Sequence, residues 1–123
     1  VFFSPQKVLA ASRDGVARLF DLESGLCMRK FAGHRAPLTS AVFSPDGERV
    51  LTGSNDGTAK LFSAQAGTCT KTLVGHASCV TSAAFAPSGR QALTASLDSQ
   101  ARLFDVASGT CVRRYDPRKA SVL

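Results

Sequence analysis

The chain contains no tryptophan, one tyrosine and one methionine, and it has no run of about 18 apolar residues that could span a membrane. Its first residues, Val1–Pro5, lack the charged segment and the long apolar segment of a signal peptide. The single asparagine, Asn55, is followed by Asp56-Gly57, so no acceptor for N-glycosylation is present. These absences predict no membrane association, and they favour the cytoplasm or the nucleus as the location.

Residues that carry common enzyme chemistry are also missing in the required patterns. The sequence has no phosphate-binding G-x-x-x-x-G-K-[ST], no dinucleotide-binding G-x-G-x-x-G before a helix and no zinc-binding H-E-x-x-H. The segment Gly53–Gly57 has the wrong spacing for a nucleophile elbow and reads as a hairpin turn. The four cysteines do not form the two close pairs that a zinc site needs. We therefore predict no enzyme activity, no catalytic residue, no cofactor and no metal site.

Composition places the chain among globular proteins, with 44% hydrophobic and 20% charged residues in 123 residues. This length suits a single domain. Lysine and arginine outnumber aspartate and glutamate by 15 to 9, for a formal charge of +6. Such an excess favours acidic partners, including nucleic acids and acidic protein surfaces. The same excess also serves in many proteins only to keep the molecule dispersed.

The strongest signal is an internal repeat of 42 residues. Gly33-His34 returns as Gly75-His76, and the same interval relates Cys27, Cys69 and Cys111. Corresponding segments are found throughout the three copies: Ser12-Arg13-Asp14, Ser54-Asn55-Asp56 and Ser96-Leu97-Asp98, and Arg18-Leu19-Phe20, Lys60-Leu61-Phe62 and Arg102-Leu103-Phe104. The approximate repeats are 1–31, 32–73 and 74–115, and 116–123 would begin a further inner strand, all within a single repeat region, 1–123.

Each copy is predicted to form four short antiparallel strands. In the middle copy they are 38–43, 49–53, 58–62 and 69–73, separated by turns rich in glycine, aspartate and proline. The sequence shows no sustained helical spacing of apolar residues. A period of 40 to 45 residues with four strands is typical of β-propeller blades. The predicted fold is all-β, a partial propeller of about three four-stranded blades.

Together, the Gly-His pairs, the turn aspartates and the closing Leu-Phe segments resemble the WD-repeat, or β-transducin-like, family over essentially the whole chain. The resemblance implies a buried set of His, Ser or Thr, Asp and Trp in each blade, with phenylalanine here replacing each tryptophan and so removing an N–H donor. It assigns this structural network to His34, Ser54, Asp56 and Phe62 in the middle copy, to His76, Ser96, Asp98 and Phe104 in the last copy, and to Asp14 in the first. We expect the contact between aspartate and histidine to be kept.

The same resemblance implies that loops at one end of the blades contact partners. The residues at those positions are Arg13, Arg35, Asn55, Ser78 and Leu97. We therefore predict a non-catalytic scaffold for protein–protein interaction in a larger intracellular complex. The alternative is a nucleic-acid-associated component that uses the basic surface. An enzyme is a third hypothesis, in which His34 or His76 would be needed for turnover.

Three blades in an open stack would leave two apolar faces in water, whereas closed propellers usually need four to eight blades. The chain is therefore expected either to be part of a longer propeller or to close a ring with further copies of itself, the end of one copy continuing into the start of the next.

Overall fold

A computed structural model describes residues 7–117 and shows eleven short strands. The strands, in chain order, are β1 (Lys7–Ala11), β2 (Ala17–Asp21), β3 (Cys27–Phe31), β4 (Leu38–Phe43), β5 (Arg49–Ser54), β6 (Ala59–Ser63), β7 (Cys69–Leu73), β8 (Val80–Phe85), β9 (Gln91–Ser96), β10 (Ala101–Asp105) and β11 (Cys111–Tyr115). Consecutive strands pair antiparallel within three sheets, β1–β3, β4–β7 and β8–β11. We call these sheets blades 1, 2 and 3. The prediction of an all-β partial propeller is confirmed.

The strand limits in blade 2 differ slightly from the predicted ones. β5 extends by one residue to Ser54, and β6 covers 59–63 instead of 58–62. Thr58 stays in the turn because both its N–H and its hydroxyl are bound to the carboxylate of Asp56, at 2.8 Å and 2.7 Å. The first blade shows three strands among the described residues. The start of the first copy, where part of an inner strand is predicted, lies outside them, as does most of 116–123, which is predicted to begin a further inner strand.

Blade 2 is buried on both faces because successive strand residues point to opposite sides. Val50 and Phe62 are cross-strand partners that face blade 1, where they pack with Leu19 and Phe31. The next pair along the strands, Leu51 and Leu61, faces blade 3 instead; this second core also contains Leu73, Ala83, Ala92 and Phe104. The middle blade therefore joins two separate apolar cores, one on each side.

Every blade carries the same irregularity between its last two strands. The register shifts after Leu19, Leu61 and Leu103, so that Phe20, Phe62 and Phe104 lie opposite Cys27, Cys69 and Cys111. A bulge of this kind increases the local twist of a strand pair. Its recurrence at equivalent positions indicates that the sequence repeat is also a repeat of backbone geometry.

Within residues 7–117, no helix is long and apolar enough to cross a membrane.

Candidate functional site

Five connecting segments lie side by side at one end of the blades and form a continuous row. They are the β1–β2 turn, the β3–β4 loop, the β5–β6 turn, the β7–β8 loop and the β9–β10 turn, and we call this row the rim. Backbone hydrogen bonds join neighbouring segments: Leu38 N–H donates to Ser12 O, Asn55 N–H to Pro37 O and Leu97 N–H to Cys79 O, each at 3.0 Å. The rim is thus fixed by the main chain as well as by side chains.

Gly57 shows how closely the β5–β6 turn approaches the next loop. Its φ is +87°, and a Cβ atom there would lie 3.3 Å from the carbonyl oxygen of Ser78. Gly15 occupies the equivalent place in blade 1, where a Cβ atom would lie 2.9 Å from the carbonyl oxygen of His34. Glycine is suited to both positions because it accepts positive φ and leaves room for the neighbouring backbone. These contacts connect each blade to the next along the rim.

Beneath the rim, His34 joins the β3–β4 loop to blade 2. Its Nδ1 lies 2.8 Å from Asp56 Oδ2, and its Nε2 lies 2.7 Å from Thr52 Oγ1. A neutral imidazole that donates from Nδ1 can accept the Thr52 hydroxyl proton at Nε2. The same aspartate oxygen also accepts the backbone N–H of Arg35 at 3.2 Å. One carboxylate therefore holds both the histidine and the loop that carries it.

The hydroxyl that contacts His34 belongs to Thr52, a residue that the sequence analysis did not include in the network. Thr52 lies two residues before Ser54 on the same face of β5. Ser54 instead donates to the carbonyl oxygens of Ala36 and Pro37 and accepts the N–H of Asp56. Ser54 thus fixes the β3–β4 loop of the rim, while Thr52, further from the rim along β5, makes the contact with the histidine.

Blade 3 repeats this arrangement. His76 Nδ1 lies 2.9 Å from Asp98 Oδ2, and its Nε2 lies 2.7 Å from Thr94 Oγ1. Ser96 donates to the carbonyl oxygen of Ser78, as Ser54 does to its own loop, and Thr94 contacts His76 as Thr52 contacts His34. The sequence analysis did not assign Thr52 and Thr94 to the networks, although the 42-residue interval that relates the other network residues also relates these two threonines.

Phe62 and Phe104 are buried in the blades and contribute packing rather than hydrogen bonds. Phe62 has no exposed surface and meets Phe31 of blade 1 edge to face, with ring centroids 5.5 Å apart. Phe104 belongs to the core between blades 2 and 3. Each network therefore contains histidine, aspartate and threonine, while the phenylalanine lies in the adjacent apolar core.

Asp14, the first-copy counterpart of Asp56, has a different partner. Arg18 contacts its two carboxylate oxygens at 2.7 Å and 3.3 Å. The hydrogen bond from this guanidinium is the main reason why the pKa of Asp14 lies well below its ordinary value. Asp14 is an exposed residue, so its pair resembles a surface ion pair, which usually contributes little to stability.

Burial and hydrogen bonding shift the pKa values of the network residues in opposite directions. Burial disfavours the charged imidazole and lowers the pKa of His34, although the hydrogen bond to Asp56 acts the other way. Burial would also raise the pKa of Asp56, but hydrogen bonds from Thr58 and His34 outweigh it, and the pKa falls to about 2. At neutral pH the pair is therefore a carboxylate hydrogen-bonded to a neutral imidazole.

The five candidate contact residues all lie on the rim. Arg13, Arg35, Asn55 and Leu97 are exposed, and Ser78 is half-buried. Leu97 exposes 67% of its surface in the β9–β10 turn. Within the part of the chain that the structure describes, no three histidine, cysteine or acidic side chains are grouped as a metal site would require. The rim therefore presents exposed polar and apolar side chains on loops that backbone hydrogen bonds hold in place.

The repeat, the blade geometry and the buried networks together define a class of protein, a repeat propeller whose rim is held by histidine and aspartate. The family described as "WD domain, G-beta repeat" matches the chain twice, over residues 25–63 and 67–105, which is more than half of its length. The chain belongs to this WD40 family. Each matched repeat spans a blade boundary: 25–63 comprises β3 of blade 1 and β4–β6 of blade 2.

Among curated proteins, the chain is similar to the mouse F-box-like/WD repeat-containing protein TBL1X, with 44% identity over 39 residues. It is equally similar to the human F-box-like/WD repeat-containing protein TBL1Y, also with 44% identity over 39 residues. The matched segment is 32% of this chain but only 7% and 8% of those relatives. Their likeness to this chain is therefore that of a single repeat.

Proposed function

We propose that this chain is part of a protein–protein interaction scaffold and that its rim contacts the partner. The observation that carries the proposal is the fixed rim itself. Each buried network ties one rim loop to the turn beside it, so the exposed tips of Arg35 and Asn55 are held on a rigid support. Rigid frames with varied loop residues are a common basis of recognition. WD40 repeats in general mediate protein interactions, which agrees with this use.

The exposed apolar face of blade 3 supports the further proposal that additional blades, or additional copies of the chain, complete the ring. Leu93 and Tyr115 expose 42% and 45% of their surface on blade 3, whereas their blade 2 counterparts, Leu51 and Leu73, are buried. An exposed apolar face on a repeat is stabilised when another blade covers it. We propose a multi-subunit complex in the cytoplasm or the nucleus as its setting.

A nucleic-acid-associated role is the second candidate, favoured by the basic outer strands. Arg29, Lys30, Lys71, Arg113 and Arg114 are all exposed on β3, β7 and β11, which contain no acidic residue. Against it, each phenylalanine of residues 7–117 is buried or half-buried, which leaves Tyr115 as the one exposed aromatic side chain of those residues for base stacking. The protein scaffold is therefore the better supported function.

Affinity capture with quantitative mass spectrometry tests the proposal, with matched charge reversals at the two ends of the blades. Arg35→Glu changes the rim, and Arg49→Glu makes the same change at the exposed start of β5, at the opposite end. We expect a discrete protein partner to be lost with the rim variant and retained with the control. Equal loss in both variants, or loss of every partner after nuclease treatment, would contradict the proposal.

A further inference from the structure

The acidic side chains of the rim are already bonded within the blades. Asp56 accepts four hydrogen bonds, from its histidine, from Thr58 and from the N–H of the rim loop. Asp98 accepts three in the equivalent way. Asp14 is paired with Arg18 at 2.7 Å. The carboxylates of the rim therefore have little remaining capacity to accept a salt bridge from a partner.

Two arginines of the rim have no such bond to a carboxylate. Arg13 in the β1–β2 turn and Arg35 in the β3–β4 loop are both exposed, and neither forms a salt bridge among residues 7–117. Asp116 lines a depression on blade 3 with Ser99 and Gln100, at the other end of the rim. Among the described rim residues, the guanidinium groups of these two arginines are therefore the charged groups that remain open to a partner.

The segments that carry the two arginines are held together by their backbones. The carbonyl oxygen of Ser12, directly before Arg13, accepts the N–H of Leu38 at 3.0 Å. A Cβ atom on Gly15, in the same turn, would lie 2.9 Å and 3.1 Å from the carbonyl oxygens of the residues on either side of Arg35. Arg13 and Arg35 thus extend from neighbouring segments whose backbones are in contact. Binding to such fixed segments costs less ordering than binding to mobile loops.

The two ends of the blades also differ in their balance of charge. At the rim, the three aspartates are equalled in number by the cations at the second position of β2, β6 and β10, so Arg13 and Arg35 are in excess. The turns and strand ends at the opposite end contain five acidic and three basic residues: Asp21, Glu23, Asp46, Glu48 and Asp105, and Lys7, Arg49 and Arg90. An acidic partner is therefore favoured at the rim and disfavoured at the opposite end.

We propose that the rim binds a segment of its protein partner that is rich in aspartate and glutamate, through salt bridges to Arg13 and Arg35. Arginine can meet a carboxylate with two parallel N–H donors. A nucleic acid fits this surface less well, because the five rim segments contain no aromatic residue on which a base could stack. Its closely spaced phosphates would also lie beside the rim aspartates. The inference rests on the proposed scaffold function and names the chemistry of the partner at that same surface.

A phage-displayed library of random linear peptides, selected on the full chain, tests this chemistry. We expect the selected peptides to be enriched in aspartate and glutamate relative to the starting library. Fluorescence anisotropy then compares the most enriched peptide with a copy in which asparagine and glutamine replace its acidic residues. The copy should bind about tenfold more weakly, because it loses charge-assisted hydrogen bonds to the arginines.

The next blade supplies matched substitutions for both arginines. Arg13→Asn and Arg35→Ala each introduce the residue found 42 positions later, Asn55 and Ala77. Each variant is expected to bind the enriched peptide about fivefold more weakly, which is the upper range for an exposed ion pair.

A charge-matched control lies at the opposite end of blade 2. Arg49→Gln removes one positive charge there and introduces the residue that blade 3 has at the equivalent place, Gln91. Its affinity for the peptide should stay within about twofold of the wild type, because salt screens a distant exposed charge. Circular dichroism confirms that all the variants keep their β structure.

Four results would overturn the proposal. The first two are selected peptides that are neutral or basic, and a library that yields no enriched sequence. The third is an equal loss of affinity in Arg35→Ala and Arg49→Gln, which would indicate a response to total charge only. The fourth is an RNA oligonucleotide that binds more tightly than the peptide and loses affinity with Arg35→Ala, which would favour nucleic acid.

The acidic chemistry and the rim function can fail separately. If the selected peptides lose affinity with Arg35→Ala but contain no excess of acidic residues, the acidic chemistry fails and the rim function stands. If acidic peptides bind Arg13→Asn and Arg35→Ala as tightly as the wild type, they bind outside the rim and the proposal fails. The rim function is then decided by whether Arg35→Glu loses its captured partner.

Discussion

At the scale of single residues, one turn of the third copy has a serine where the other two copies have a glycine with positive φ. Gly15 and Gly57 have positive φ in the turns that precede β2 and β6, whereas Ser99 adopts φ of +72° at the corresponding place before β10. Ser99 is the one residue other than glycine with positive φ among those described. A side chain in this region is strained because Cβ approaches the following carbonyl oxygen.

We predict that Ser99→Gly stabilises the chain by about 1 kcal/mol, because it removes this strain. The matched change Gly57→Ser introduces the strain and also brings Cβ to 3.3 Å from Ser78 O, so it should destabilise by about 2 kcal/mol. Denaturant unfolding of both variants measures the difference. A decrease in stability with Ser99→Gly would show that the lost backbone restriction outweighs the strain.

The pH dependence of stability follows from the buried networks. The pKa of His34 is lowered in the folded state, so folding favours the neutral imidazole. The contribution of His34 to the free energy of unfolding is therefore present above pH 6.5 and is lost as the pH falls below that value. The pKa values of Asp56 and Asp98 fall to about 2 despite opposing burial, because hydrogen bonds favour the carboxylate. Their contribution is present above pH 3.8 and is lost as the pH falls towards 2.

We therefore predict two losses of stability on acidification, one beginning near pH 6.5 and one below pH 3.8. Urea unfolding between pH 8 and pH 3 measures both. His34→Gln should reduce the slope of the first loss, while the second loss persists through Asp98, whose pKa is lowered by contacts that do not include His34. A free energy of unfolding that rises as the pH falls from 7 to 5 would contradict this assignment.

At the scale of strands, the close approach of neighbouring blades depends on a glycine within β5. A Cβ atom on Gly53 would lie 2.9 Å from Cγ1 of Val80, which is fully buried in β8. The Thr39 hydroxyl crosses the same boundary and donates to Val80 O at 2.7 Å. The equivalent residue in blade 3 is Ala95, which is half-buried. Glycine is thus required at this position where the next blade packs against the strand.

We predict that Gly53→Ala destabilises the chain by about 2 kcal/mol, because Val80 must move within a packed boundary. Ala95→Gly is the control, since it removes a methyl group at the equivalent place, and its effect should remain within about 1 kcal/mol. Thermal unfolding compares the two variants. If Gly53→Ala unfolds at the same temperature as the wild type, blades 2 and 3 can move apart slightly without loss of stability, and the prediction is wrong.

At the scale of the whole molecule, the three blades form a stack in which, among residues 7–117, only the middle blade packs against another blade on both sides. Leu51 has no exposed surface, whereas Leu93, its counterpart in blade 3, exposes 42%. The difference arises from the neighbours of each blade and not from the local sequence, since both leucines lie in strands of similar composition. The exposed face of blade 3 is therefore the region that the proposed further blades or copies would cover.

We predict that Leu93→Lys reduces self-association of the chain and leaves its unfolding temperature within about 4 °C of the wild type, since changes at exposed sites are usually small. Leu51→Lys should abolish folding, because it buries an unpaired charge between two blades. Light scattering coupled to size exclusion gives the mass, and circular dichroism gives the fold. Unchanged mass for Leu93→Lys would show that this face does not mediate contact between copies.

The sequence by itself determined the period, the four-strand pattern and the turns, because these depend on local spacing and on residues such as glycine and aspartate that act within a few positions. It also indicated that histidine and aspartate would meet. Only the tertiary structure decided which hydroxyl joins His34, since Ser54 and Thr52 lie on the same face of β5 and differ in depth. Likewise, the contact between the turn that carries Arg13 and the loop that carries Arg35 depends on how blade 2 packs against blade 1, which is decided by residues distant in the chain.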